Sequence, residues 1–107
     1  MDATLPQTEI LKPTGEIDLH RSPEVKEMLL PLIQRKAPRI LIDMSGVSYI
    51  DSSGLAVFIE TLQRVLGYGG RFAIFGLQET VRNIFEIARL DQVFQIFPDE
   101  AAAAAEG

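Results

Sequence analysis

Residues 43–55 read Asp-Met-Ser-Gly-Val-Ser-Tyr-Ile-Asp-Ser-Ser-Gly-Leu, and this stretch decides the fold. The apolar strand pattern that leads into it gives way to Asp51-Ser52-Ser53-Gly54 just where a long amphipathic helix should begin. A helix start offers free backbone N–H groups and the positive end of a helix dipole. It can hold a hydroxyl, and later a phosphate on that hydroxyl, at modest energetic cost. The rest of the chain reads as scaffold for this loop.

Working outward, Arg39 to Met44 is a short apolar strand bounded by Pro38 and the Ser45-Gly46 turn. It alternates too little to face water on one side, so it is expected at the centre of its sheet. After the loop, Leu55, Phe58, Ile59, Leu62, Val65 and Leu66 recur at helical spacing, with Glu60 and Arg64 paired four apart on the opposite face. Gly67-Tyr68-Gly69-Gly70 ends that helix, because glycine tolerates the left-handed cap conformation. Arg71 to Phe75 then reads as a strand, Gln78 to Ala88 as a helix burying Val81, Ile84, Phe85 and Ala88, and Phe94 to Phe97 as a short edge strand.

Toward the N-terminus, Thr8 to Lys12 reads as a strand that Pro13-Thr14-Gly15 turns back. Ser22-Pro23-Glu24 starts a helix, with Ser22 as N-cap and Val25, Met28, Leu29, Leu32 and Ile33 on the buried face. Pro31 lies inside that stripe, where it removes a backbone donor, and predicts a kink or a break. After Asp99 and Glu100 an alanine run has high helix propensity but little to bury, and is expected to be a fraying terminal helix or tail. Strands and helices alternate throughout, which gives a single α/β domain with right-handed crossovers. Its limits are read as a tail over 1–7, the domain over 8–97 and the Ala-rich end over 98–107. Pattern alone leaves a flavodoxin-like sandwich open.

Composition narrows the function. At 107 residues the chain has room for one core, and 47% hydrophobic with 23% charged residues is ordinary for a globular protein. A net charge of −5 with scattered basic residues argues against a nucleic-acid surface. The absence of cysteine rules out disulfides and thiolate metal sites and suits the cytosol. No apolar run approaches ~18 residues, so a cytoplasmic protein without membrane insertion is expected.

The candidate chemistry lies in residues 46–53. Any one of Asp51, Ser52 or Ser53 suffices to cap the helix, and these residue types dominate N-caps. The other small polar residues are surplus to a cap, and Gly54 would let a partner backbone come close. His20, the sole histidine, nominally completes a hydrolytic triad with Ser52 and Asp43 or Asp51. A nucleophile elbow, however, needs glycine two residues before the serine, where Ile50 stands. Asp18 and His20 are too few for a metal site. Gly67 to Gly70 connects a helix to a strand, the reverse of a phosphate-binding loop. Phe72, Phe75, Phe85, Phe94 and Phe97 have no interleaved basic residues and read as core.

The segment resembles a known family, the STAS domains, and within it the bacterial anti-sigma factor antagonists. Leu41-Ile42-Asp43-Met44-Ser45-Gly46-Val47 is similar to the family's strand and turn, and Asp51 to Leu55 to its Asp-Ser-Ser/Thr-Gly-Leu helix start. Gly15-Glu16-Ile17-Asp18, Phe75 to Leu77, Val81, Ile84-Phe85 and Leu90 extend the likeness over roughly 8–97. The resemblance implies a small mixed β-sheet of about four strands, with helices mainly on one side. It also implies that the serine directly after the motif's Asp, Ser52, is phosphorylated by a kinase-type anti-sigma factor, with Ser53 as the fallback. The partner-binding face would comprise Asp18, Ser48, Tyr49, Ile50, Asp51, Ser53, Gly54 and Leu55.

On this reading the chain is no enzyme and needs no cofactor of its own, since ATP, Mg²⁺ and the general base come from the kinase. Unphosphorylated, it would sequester the anti-sigma factor and release a sigma factor; a PP2C-type phosphatase would reset it. The alternative is a STAS adaptor subunit of a lipid-transporting ABC complex. The N-terminus is shorter than many antagonists have, which predicts a missing first edge strand and a monomer or weak dimer.

Overall fold

The computed structural model describes residues 8–106; the expected tail over 1–7 lies outside them. Six strands and four helices follow the order β1 (Thr8–Leu11), β2 (Gly15–Ile17), α1 (Ser22–Gln34), β3 (Arg39–Asp43), β4 (Val47–Ile50), α2 (Ser52–Gly67), β5 (Arg71–Phe75), α3 (Glu79–Ile87), β6 (Gln95–Phe97) and α4 (Glu100–Glu106). A single 3-10 turn at Leu90–Gln92 links α3 to β6. The main sheet has the order β1-β3-β5-β6, and β2 and β4 form a separate two-stranded ribbon. β3 is central and β6 is an edge, as the sequence leads one to expect. Among the described residues every strand pair is parallel, so the sheet is more uniform than the mixed one anticipated.

Alternation along the central strands sorts the core into two layers. Ile40, Ile42, Phe72 and Ile74 face α1, α2 and α3, together with Val25, Leu29, Phe58, Val65, Val81 and Phe85. Phe58, Phe72, Phe94 and Phe85 form a chain of tilted rings with centroids 6.2, 6.1 and 5.7 Å apart, a spacing at which aromatic edges and faces attract. Leu41, Ala73 and Phe75 point to the opposite face, where Ala103 of α4 and Phe97 cover them.

Four expectations need correction. Pro13-Thr14-Gly15 does not turn the chain back onto β1; Gly15–Ile17 instead pairs with Val47–Ile50 in a ribbon that periodicity did not reveal. Ser22 lies inside α1 and caps nothing, since the carbonyl of Asp18 accepts the N–H groups of Arg21 and Ser22 at 3.1 and 2.8 Å. Of the kink or break expected at Pro31, the break does not occur, and α1 continues through to Gln34. It closes with Lys36 at φ 54°, donating to Ile33 O, and with Ala37 donating to Leu32 O, the paired bonds of a left-handed helix stop. Finally, the alanine helix does bury a side chain: Ala103 is inaccessible, and the Arg39 guanidinium donates to the carbonyls of Ala103 and Ala104.

α2 ends as its glycines suggest, with Gly69 at φ +85° and Gly69 and Gly70 donating to Leu66 O and Val65 O. Tyr68, at that end, donates its hydroxyl to Ala37 O at 2.7 Å. Burial pushes its pKa up, and the charge of Arg35 partly opposes this. Both ends of α2 are thus tied down, and the N-terminal end carries the site.

Candidate functional site at the start of helix α2

β4 delivers the chain to α2 through Asp51, whose backbone is extended at φ −108° and ψ −173°. Its N–H donates to Ile17 O at 3.1 Å, and its carbonyl accepts from Leu55 N at 2.9 Å. Its carboxylate does the capping. Oδ1 accepts from the N–H groups of Ser53 at 2.8 Å and Gly54 at 3.1 Å, and Oδ2 accepts from Leu19 N at 3.1 Å. Asp51 therefore holds the helix start and also fastens the loop between β2 and α1 to it. Two of the backbone donors that the sequence suggested were free for a phosphate are already in use.

With the cap provided by Asp51, neither serine hydroxyl is needed for it. Ser52 is exposed at the first helical position, Ser53 is half-buried behind it, and neither hydroxyl forms a hydrogen bond to a described residue. The helix dipole lowers the cost of negative charge here, while the neighbouring Asp51 carboxylate raises it. Asp18 is half-buried, and its Oδ1 accepts from the N–H groups of His20 and Arg21, both at 3.0 Å. It shapes the loop beside Asp51.

The β2–β4 ribbon forms one flank. Gly15 pairs with Val47 and Glu16 with Tyr49, so Ser48 is an extra residue in a bulge. The bulge lets both Val47 and Ile50 turn inward while Ser48 and Tyr49 face solvent together. Ile50 is only 1% exposed and serves as the floor of the site, not as the contact residue expected from the sequence. Gly54 is likewise buried: a Cβ there would lie 2.7 Å from Ile50 Cγ1 and 2.8 Å from Ile17 O, so its role is to let α2 approach the ribbon. Leu55 is half-buried against the main core.

Sequence reading overlooked Leu19, which is 68% exposed beside the cap. The one signal was an apolar residue within the polar run Asp18-Leu19-His20-Arg21-Ser22, outside any buried stripe. The imidazole of His20 makes no hydrogen bond to a described hydroxyl, and Asp43 holds its own turn by accepting from Ser45 N at 2.9 Å. No group of three or more His, Cys, Asp or Glu suited to a metal ion occurs among the described residues. A cavity of about 420 Å³ opens at the other end of α2, lined by Leu62, Leu66, Arg71, Phe72 and Val93, remote in the fold from the serines. At the serine site Ser52, Tyr49 and Leu19 are all exposed to solvent. No helix among the described residues is long and apolar enough to cross a membrane.

The STAS domain model matches residues 3–103 of this chain. The anti-sigma-B factor antagonist of Bacillus subtilis is 37% identical over 82 residues, covering 77% of this chain and 74% of that protein. A Thermotoga maritima protein classed as an anti-sigma factor antagonist superposes with a TM-score of 0.87 at 25% identity, over 92% of this chain and 86% of that one. The phosphorylated form of the Bacillus cell fate determinant SpoIIAA shares the fold, with a TM-score of 0.71 at 20% identity over 97% and 94% of the two chains. Family model, relatives and fold agree: this chain belongs to the STAS domain family and stands among its anti-sigma factor antagonists.

Proposed function

We propose that this chain is a phosphorylation-switched anti-sigma factor antagonist. Unphosphorylated, it binds a kinase-type anti-sigma factor through the surface around Ser52 and so frees a sigma factor for transcription. Phosphorylated on Ser52, it lets the anti-sigma factor go. The observation that carries the proposal is the division of labour at the start of α2. Asp51 supplies the cap through Ser53 N and Gly54 N, leaving the Ser52 hydroxyl exposed and without a partner among the described residues. A structural serine at a helix start ordinarily caps from the N-cap position; here Asp51 holds that position, and the Ser52 hydroxyl is left for a kinase.

The chemistry is supplied by the partner. The kinase base takes the proton from the Ser52 hydroxyl, its oxygen attacks the γ-phosphorus of ATP, and ADP leaves with Mg²⁺ assisting. The product gains about −1.5 to −2 charge at neutral pH. A partner packed over Leu19, Tyr49 and Ser52 would have to desolvate that charge, and a penalty of ~3–4 kcal/mol weakens binding by roughly two to three orders of magnitude. SpoIIAA in its phosphorylated form shows the same fold carrying such a modification in another protein. A PP2C-type phosphatase would restore the serine.

The test is intact and tryptic mass spectrometry after incubation with ATP, Mg²⁺ and the kinase-type anti-sigma factors of the source organism, on wild type, Ser52→Ala and Ser53→Ala. Phosphate on Ser52 that disappears with Ser52→Ala is the expected result. Phosphate on Ser53 would move the site by one residue. No phosphate with any of these partners would remove the switch and put the transporter-adaptor reading in its place.

A further inference from the structure

We infer that Leu19 is the apolar anchor through which this chain grips its anti-sigma factor, and that Asp51 is the positioning residue that holds Leu19 beside the switch serine. The inference rests on the function proposed above and names a contact that the motif around Ser52 does not contain. A single exposed leucine is ordinary on a protein surface. Leu19 differs in how firmly its backbone is held. Its own N–H donates to Asp51 Oδ2 at 3.1 Å, those of His20 and Arg21 donate to Asp18 Oδ1 at 3.0 Å, and that of Ser22 donates to Asp18 O at 2.8 Å. Every amide from 19 to 22 is satisfied inside the loop or by the cap, so little freedom is left to lose on binding. A backbone already fixed in place lowers the ordering cost of burying the side chain it carries.

The surroundings indicate what Leu19 meets. Tyr49, 43% exposed, stands on the outer face of the ribbon opposite Glu16, two residues ahead of Asp18 and two before Asp51. Leu19 and Tyr49 thus put apolar surface on the two segments that meet at Asp51, next to Ser52, continuous with the proposed interface. The exposed Glu16 and the half-buried Asp18 and Asp51 lie on these same segments, while the Arg21 guanidinium is engaged by Glu24 at 3.7 Å. The complementary partner surface is an apolar pocket rimmed by lysine or arginine. Asp51 serves both features, since one carboxylate oxygen holds the helix that carries Ser52 and the other holds the loop that carries Leu19.

Calorimetric titration of the unphosphorylated protein with the purified kinase-type anti-sigma factor identified by the phosphorylation assay tests this, using wild type, Leu19→Ala, Leu19→Met, Asp51→Asn and the double variant. Leu19→Ala is expected to weaken binding by roughly 30- to 100-fold, the lower end of hot-spot truncations, while Leu19→Met stays within about threefold. Asparagine caps a helix about as well as aspartate, but in that role its remaining amide nitrogen cannot accept from Leu19 N. Asp51→Asn should therefore weaken binding alone and add little in the Leu19→Ala background. Binding unchanged by Leu19→Ala, with wild type binding normally, overturns the anchor. Fully additive losses overturn the positioning role. Loss of self-association in sedimentation with partner binding intact would assign Leu19 to a second copy of this chain and overturn the anchor too. Failure of wild type to bind would overturn the antagonist reading and this inference with it.

Discussion

Gly54 is the residue on which the geometry of the site turns, and its reason is space, not backbone freedom. A Cβ there would fall 2.7 Å from Ile50 Cγ1 and 2.8 Å from both Ile17 Cγ2 and Ile17 O. The carbonyl cannot step aside without losing the Asp51 N–H that it accepts at 3.1 Å. Two effects oppose each other in Gly54→Ala. Alanine improves helix propensity by about 1 kcal/mol. Overpacking against backbone costs roughly 1–3 kcal/mol, and the rigid neighbours favour the upper part of that range. Gly54→Ala should therefore lower stability by about 1–2 kcal/mol in urea unfolding, against the sign that propensity alone gives. A stabilised variant would mean that the helix start can lift from the ribbon. Asp51 works at the same scale: its role as cap was one of three open in the sequence, because the choice depends on backbone angles that residue type does not fix.

Among the elements, those with a long apolar period were readable from sequence and those relying on local irregularity were not. α2 shows five buried positions along sixteen residues, and β3 and β5 show unbroken apolar runs, so their type and place followed from spacing. The Val47-Ser48-Tyr49-Ile50 segment buries its first and last residues, a spacing of three that does not read as a strand until the bulge at Ser48 is known. β2, with three residues, is too short for any period to register. The seating of α4 hid for another reason: alanine gives no contrast between its faces, so the buried Ala103 cannot be told from its exposed neighbours. What seats α4 is Arg39, donating to the Ala103 and Ala104 carbonyls at the end where the dipole welcomes a cation. Arg39→Gln should lower stability by about 1–2 kcal/mol, given the worth of charged hydrogen bonds. It should also speed amide exchange across 103–106 while leaving β3 and β5 protected. Unchanged exchange in α4 would show that the Ala103 contact alone holds the helix.

At the scale of the whole molecule, the proposed switch would have to weaken a complex without unfolding the domain, and the charge balance bears on how. The chain already carries a net charge of −5, so a phosphate adding about −1.5 to −2 changes the overall field modestly. Fold stability should hardly respond. The dipole at the start of α2 favours the phosphate by a few tenths to about 1 kcal/mol, and the Asp51 carboxylate, already occupying Ser53 N and Gly54 N, opposes it. We expect the Ser52-phosphorylated protein to unfold within about 1 kcal/mol of the unmodified one. Binding is another matter, because the phosphate would be trapped against the partner. If long-range repulsion caused the release, raising salt from about 0.05 to 0.5 M would shorten the Debye length from roughly 14 to 4 Å and restore most of the affinity. If desolvation of the phosphate causes it, salt leaves the deficit largely in place, since a buried charge is screened far less than an exposed one. Titrations of the phosphorylated and unmodified proteins against the anti-sigma factor at both salt concentrations separate the two. The open surface at Ser52, flanked by Leu19 and Tyr49, predicts a deficit of at least about 100-fold that survives high salt.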